Sequence, residues 1–253
     1  MYEAVTVPAD DRASLAPLVA GAASVGYDGL VVRDGAATLP DADLDLSSDL
    51  DLDPDLDFDL VPGATVDVDP DAAGGAVHAR RHETTLLCLR GGTPARNRFA
   101  VEEPRVDVLA GPVGPGASEA FPFDHVLARA AARNGVRVAF DLGPVLRETG
   151  GTRVRAVSAL TRLRDLVETY DAPHVVTAAA GSALELRGPR ALAAVGETVG
   201  LGREFVEDGL REWERVVARN RDRASEDWVM PGVRRGRYDP ADWERDTDAE
   251  EEP

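Results

Sequence analysis

Residues 121–178 read FPFDHVLARA AARNGVRVAF DLGPVLRETG GTRVRAVSAL TRLRDLVETY DAPHVVTA, and the alternation of periods within them decides the fold. Phe121 to Arg133 has helical spacing, with Phe123, Val126, Leu127 and Ala130 on one face. Asn134-Gly135 is a helix stop. Val136 to Asp141 is an apolar run of strand length. Arg153 to Tyr170 then returns to the helical period, with Ala156, Leu160, Leu163, Val167 and Tyr170 as its apolar stripe. His174 to Ala178 is strand-like again. Helix, strand, helix and strand in this order build a parallel sheet from βα units.

The same grammar extends outward. Tyr2 to Val7, Gly29 to Arg33, Thr65 to Asp69, Thr84 to Arg90 and Arg105 to Ala110 read as strands, and Asp11 to Ser24 as a helix capped by Asp10. Further helices are expected at Pro189 to Val199 and at Arg203 to Arg219, the second burying Val206, Leu210, Trp213 and Val217. Seven strands with no eighth predict an α/β fold, a TIM-barrel-like (β/α) barrel with irregular closure. A doubly wound open sheet is the alternative.

A chain of 253 residues buries enough surface to fold without a metal or a disulfide. The spacing predicts one barrel domain over 1–223, an acidic insertion at about 40–60, and a C-terminal tail over 224–253, basic and then acidic, without fixed structure. Between Asp41 and Asp59 nine aspartates alternate mainly with leucines, a period-2 pattern that would suit an edge hairpin. Pro54 and the like charge argue instead for a solvated insertion, and a calcium-binding repeat lacks its glycines. The single cysteine, Cys88, sits in an apolar run and reads as core, which suits a reducing, cytoplasmic setting. No apolar run approaches the roughly eighteen residues that span a bilayer.

Charge is the loudest feature: the net is −18, and all 28 basic residues are arginine. Acidic excess without lysine is the composition of proteins that work in concentrated salt, the mark of an extreme halophile. Such a balance ordinarily argues against nucleic acid. At molar salt, however, the Debye length falls to roughly 3 Å, so whole-molecule repulsion is screened and short guanidinium–phosphate contacts remain. The distribution is uneven. Residues 1–79 hold 2 arginines against 17 acids, whereas residues 80–223 hold 22 against 19. A chain under general pressure to be acidic keeps a slightly basic centre. Helix-surface ion pairs are the plain alternative for any one of these arginines.

In a barrel, ligands bind on the loops after the strands. The residues expected there are Arg33 and Arg90 at strand ends, and Arg96, Asn97 and Arg98 in the helix that Thr93 opens. Arg153 and Arg155 follow the loop that carries Asp141, Arg147 and Gly150-Gly151, and Ser182, Arg187 and Arg190 follow the seventh strand. Guanidinium groups with glycine-rich backbone suit phosphodiesters, while the lack of interleaved aromatics argues against base stacking. Enzymatic readings are thinner. His78 and His82 with Glu83 have zinc-like spacing but no third histidine nearby, and a solvated turn suits them better. Ser182 with His174 or His125 lacks a nucleophile elbow and is better placed as a helix cap. Asp141 is the best lone carboxylate for acid–base work, in a barrel enzyme acting on a small phosphorylated metabolite. A scaffold that binds only protein is a third reading.

Asn97-Arg98-Phe99-Ala100-Val101-Glu102 ahead of Val106-Asp107-Val108-Leu109, the block Gly135 to Gly143, the run Tyr170 to Ala178, and Ala183-Leu184-Glu185-Leu186-Arg187-Gly188-Pro189-Arg190 together resemble the archaeal ribonuclease P protein component 3 family, from about residue 1 to 220. The resemblance implies a barrel of the polymerase and histidinol phosphatase type that has lost its metal site. It also implies a non-catalytic subunit that supports RNA-catalysed removal of 5′ leaders from precursor tRNA, with magnesium on the RNA and none on this chain. The partners it implies are ribonuclease P RNA, precursor tRNA, protein component 2 and the other protein subunits. The aspartate-rich insertion and acidic tail depart from the family pattern, as does arginine in place of lysine.

Overall fold

The computed structural model describes residues 1–7, 14–33, 57–114, 121–225, 227–230 and 233–234. The chain divides into two compact units, Met1–Val217 and Ala218–Pro253. In the first, seven parallel strands pair in sequence order: β1 (Tyr2–Thr6), β2 (Gly29–Arg33), β3 (Asp59–Val66), β4 (Leu86–Arg90), β5 (Val108–Ala110), β6 (Arg137–Asp141) and β7 (His174–Thr177). The helices are α1 (Leu15–Ser24), α2 (Pro70–Arg81), α3 (Pro94–Glu102), α4 (His125–Asn134), α5 (Gly143–Arg147), α6 (Gly150–Thr169), α7 (Pro189–Thr198) and α8 (Arg203–Ala224), the last running past the unit boundary. The predicted α/β barrel and its seven strands are therefore found. In the second unit Trp228–Met230 pairs antiparallel with Val233–Arg234, inside the tail expected to lack structure.

Strand register separates two apolar layers. Val5, Leu30, Val32, Leu87, Leu109, Phe140 and Val176 face the helices. Alternate residues, among them Ala4, Val31, Val61, Cys88, Val108, Ala139 and Val175, face inward and form a second cluster. This is how a parallel sheet buried on both faces reads.

The barrel does not close by a ladder between β1 and β7. A backbone bond from Thr6 N to Ala180 O (3.2 Å) crosses the seam, and Thr177 Oγ1 donates to Ala4 O (2.9 Å). Glu3 fills the rest. Its fully buried carboxyl group accepts from Ala4 N (3.0 Å), Ala178 N (3.1 Å) and the Tyr27 hydroxyl (3.0 Å), and contacts Thr177 Oγ1. The two amides belong to the two edges, so one side chain does the work of missing ladder bonds.

Burial pushes Glu3 up from 4.5 to about 7, against the lowering effect of these four hydrogen bonds. A raised folded-state pKa gives stability that is full below about pH 4.5 and is lost as pH rises through about 7. Between pH 5 and 8 the wild type is expected to lose on the order of 3 kcal/mol relative to Glu3→Gln, which cannot ionise. Calorimetric melting of both proteins across that range checks this, and parallel slopes would contradict it.

The amino-terminal end of the barrel is covered by the first part of α8. Gly209 lies against β7, where a Cβ would come within 2.9 Å of Val176 N. That close approach lets Trp213, Val216 and Val217 join the inward cluster, and Trp213 Nε1 donates to Val176 O (2.8 Å) at the open edge. Glu212 pairs with Arg137 of β6 (2.8 Å) and Glu214 with the N-terminal amine (3.3 Å).

Several elements differ from expectation. The third strand is Asp59–Val66 rather than Thr65–Asp69, because Leu60 and Val61 adjoin the aspartate run and Pro62-Gly63 reads as a break. Pro62 O nevertheless accepts from Thr85 N (3.0 Å). The end of the expected insertion is therefore strand, while its residues 41–56 lie outside the described residues, as does Asp10. His78 and His82, expected on a solvated turn, instead belong to helix α2, of which only Ala73 and Val77 are buried. His78 lies in α2 and His82 is its C-cap. Helix α4 starts at His125 behind an Asp124 cap, so Phe123 precedes it, and Val126 is 49% exposed rather than on the buried face. Helix α6 starts three residues earlier than expected and stops before Tyr170.

Candidate functional site

Register alone brings the mouth together. Thr6 pairs with Arg33, Arg90 with Ala110 and Asp141 with Thr177, so these side chains share the last inward layer at the carboxyl ends of the strands. Arg33 is 6% exposed, and Nη2 donates to Thr6 Oγ1 (3.2 Å). Its buried Nε has no hydrogen-bond partner among the described residues. Asp141 Oδ1 accepts from Gly143 N (2.7 Å), the first residue of α5. Burial raises the Asp141 pKa, opposed by that amide and then by the fields of Arg33, Arg147 and Arg90. The fields of three guanidinium groups thus reach one carboxyl group.

Arg147 is the residue that sequence reasoning underused, because α5 was expected as loop. From the end of α5 it donates to Ala178 O (3.0 Å) and Ala179 O (3.2 Å) and sits 3.7 Å from Glu185. Ala179 holds φ at +46°, an uncommon value for a residue with a Cβ, so the loop after β7 is held in a strained turn beside the mouth. Arg90 Nε pairs with Asp67 (3.0 Å), and Arg96 bridges Asp67 (2.9 Å) and Asp69 (3.2 Å). These two rim arginines are therefore matched to carboxylates, while Arg33 is not.

The other predicted residues divide. Asn97 is fully buried: Nδ2 donates to Pro112 O and Pro122 O (both 2.8 Å) and Oδ1 accepts from Gly92 N (3.1 Å). It staples two loops together, and Gly91 is required beside it, since a Cβ there would lie 2.1 Å from Asn97 Oδ1. Thr93 caps α3 through a bond from Arg96 N (3.3 Å). Arg98 is exposed on α3, and Arg153 and Arg155 are exposed in the first turns of α6, Arg155 donating to Thr152 Oγ1 (3.2 Å). Ser182 makes no side-chain cap, contrary to expectation; its carbonyl accepts from Glu185 N (3.0 Å).

Arg187 and Arg190 are exposed but are not at the mouth. The chain after β7 runs down beside α1, where Leu186 packs near Gly21 and the Arg187 carbonyl accepts from the Tyr27 hydroxyl (2.9 Å). Gly188 then abuts Val25, at the amino-terminal side of β2. Sequence proximity to a strand end is no guide when the connection crosses the height of the barrel. Ser182 follows the carboxyl end of β7 whereas His174 is its first residue, at the opposite end, where its ring is stacked on Phe205 (3.8 Å). His78 and His82 have ring centroids 5.3 Å apart, and among the described residues no group of three His, Cys, Asp or Glu could hold a metal ion. No described helix is long and apolar enough to cross a membrane.

Fold and site together define a (β/α) barrel protein whose mouth gathers arginines near the half-buried carboxyl group of Asp141. Residues 1–225 match the family model described as RNase P subunit p30, and the chain belongs to that family. It is 47% identical over 242 residues to ribonuclease P protein component 3 of Halorubrum lacusprofundi, covering 94% of this chain and 99% of that one. It is 47% identical over 240 residues to the Natronomonas pharaonis protein of the same name, covering 94% and 97%. To the Methanosarcina mazei protein it is 32% identical over 198 residues, covering 78% and 80%. Its fold is similar to a chain in a cryo-EM structure of archaeal ribonuclease P with mature tRNA, with a TM-score of 0.71 and 18% identity, covering 91% of this chain and 96% of that one.

Proposed function

We propose that the chain is a protein subunit of ribonuclease P, supporting RNA-catalysed removal of 5′ leaders from precursor tRNA in the cytoplasm. The observation that carries this reading is the family match, which runs over residues 1–225 and includes near-full-length relatives. In this reading the chain supplies no catalytic side chain and no resident metal; magnesium acts on the RNA. The exposed guanidinium groups of Arg98, Arg153, Arg155, Arg187 and Arg190 position RNA phosphates or a partner subunit such as protein component 2, without reading bases. Because molar salt weakens the counterion-release contribution, affinity rests on bidentate contact and on docking into the particle.

Reconstituted precursor-tRNA cleavage in concentrated potassium chloride tests the role. Omitting the chain is expected to slow cleavage or raise the magnesium requirement, and an unchanged rate and requirement would refute it. Each of these arginines that meets a phosphate is expected to lower the salt slope of RNA binding by about one when replaced by methionine. The position of Asp141 among arginines favours one competing reading, an enzyme acting on a small phosphorylated metabolite. Turnover of phosphate esters by nuclease-treated protein would establish that reading, and its loss in Asp141→Asn would locate it.

A further inference from the structure

Arg33 is anomalous in a way that the subunit role does not require. Buried arginines normally face a carboxylate, since an uncompensated guanidinium is costly to desolvate. Arg81 follows the rule, donating to Asp107 (2.6 Å), and so does Arg137 with Glu212. Arg33 is as deeply placed as either, yet among the described residues it makes no ion pair, one long bond to a threonine hydroxyl, and leaves Nε unpartnered. The carboxyl group opposite it, on Asp141, has one oxygen turned to Gly143 N and bridges to no arginine. The fields of Arg147 and Arg90 reach the same group, but Arg90 is also paired with Asp67 and Arg147 lies 3.7 Å from Glu185, so among the described residues Arg33 is the arginine of this layer without a carboxylate partner.

From this geometry we infer that the barrel mouth is a binding pocket for one phosphate monoester group, with Arg33 as its principal donor and Arg90 and Arg147 at its edges. A terminal phosphate suits the site better than a phosphodiester. Arg33 is only 6% exposed, which favours a small anion or a terminal group over a continuous backbone. The free donors are guanidinium N–H groups in a planar fork, which match tetrahedral oxygens. The hydroxyl of Thr6, on the neighbouring strand, already lies within reach of the same fork. This site is distinct from the exposed arginines assigned to RNA, and it stands or falls independently of the ribonuclease P role.

The test uses the full chain, nuclease-treated and freed of phosphate, in molar potassium chloride, so that chloride is the background against which binding is read. Inorganic phosphate is titrated by calorimetry, followed by a short oligonucleotide carrying a 5′-phosphate and the same oligonucleotide with a 5′-hydroxyl. Saturable one-site binding of inorganic phosphate or of the 5′-phosphorylated probe is expected, and none of the 5′-hydroxyl probe at this site. Binding of inorganic phosphate alone assigns the pocket to a free anion, and binding of the phosphorylated probe assigns it to an RNA end. Arg33→Met should weaken binding roughly ten- to a hundredfold, about the worth of one charge-assisted hydrogen bond, and Arg133→Met, at the exposed end of α4, should leave it unchanged. Melting temperature supplies a readout free of ligand: with its uncompensated charge removed, Arg33→Met should melt no lower than the wild type in phosphate-free buffer. Absence of saturable binding by either phosphate-bearing probe, or equal binding in Arg33→Met, overturns the proposal. So does a large drop in melting temperature on removing Arg33, which would mark it as already satisfied.

Discussion

Replacing Glu3 by alanine is expected to destabilise the barrel by about 3–5 kcal/mol, the cost of removing one member of a buried, mutually satisfied polar cluster. The change strips the acceptor from Ala4 N and Ala178 N at once, and neither can turn to water, since Glu3 is fully buried, while the Tyr27 hydroxyl keeps the Arg187 carbonyl. Thr177 retains Ala4 O. Because the two amides lie on the two edges that fail to pair, the damage falls on barrel closure rather than on one strand. Denaturant unfolding at pH 6, below the raised pKa of the group, measures it. A loss under 1 kcal/mol would mean that the seam closes by other contacts.

A comparable loss is expected for Trp213→Ala, about 3–5 kcal/mol for a fully buried indole, with the orphaned Val176 carbonyl adding roughly 1 kcal/mol or more. Trp213 belongs to the inward cluster although it comes from a helix, so its removal empties space that no strand side chain fills. The cooperativity of unfolding should fall with the midpoint, because α8 is the element that ties β7 to the inner layer. Equilibrium unfolding monitored by circular dichroism checks both. A stability within 1 kcal/mol of wild type would show that Tyr2 and Leu86 repack across the gap.

The two variants probe features that differ in how they could be read. Trp213 was legible as buried, since Val206, Leu210, Trp213 and Val217 repeat at helical spacing, and all four are buried. That the helix inserts into the barrel interior was not legible, because periodicity says which face is apolar and not what covers it. Glu3 was illegible altogether: in sequence it is one acid in an acidic chain, and its partners lie 24 and about 175 residues away. The mouth was partly legible. Arg33, Arg90 and Asp141 end their strands and do converge, whereas Arg187 and Arg190 follow β7 in sequence but not in space. Asn97, expected among the contacts, is spent on two loop carbonyls.

The amino-acid sequence by itself determined what depends on near neighbours along the chain: seven short apolar strands, the helices that stop at Asn134-Gly135, the alternation that buries both faces, and the motifs of the family. Tertiary structure alone decided which edges fail to pair, which helix covers the amino-terminal end, and, among the described residues, which buried arginine is left without a carboxylate. Those outcomes turn on register and closure, where residues more than a hundred positions apart compete for the same hydrogen bonds, and no local period carries that information.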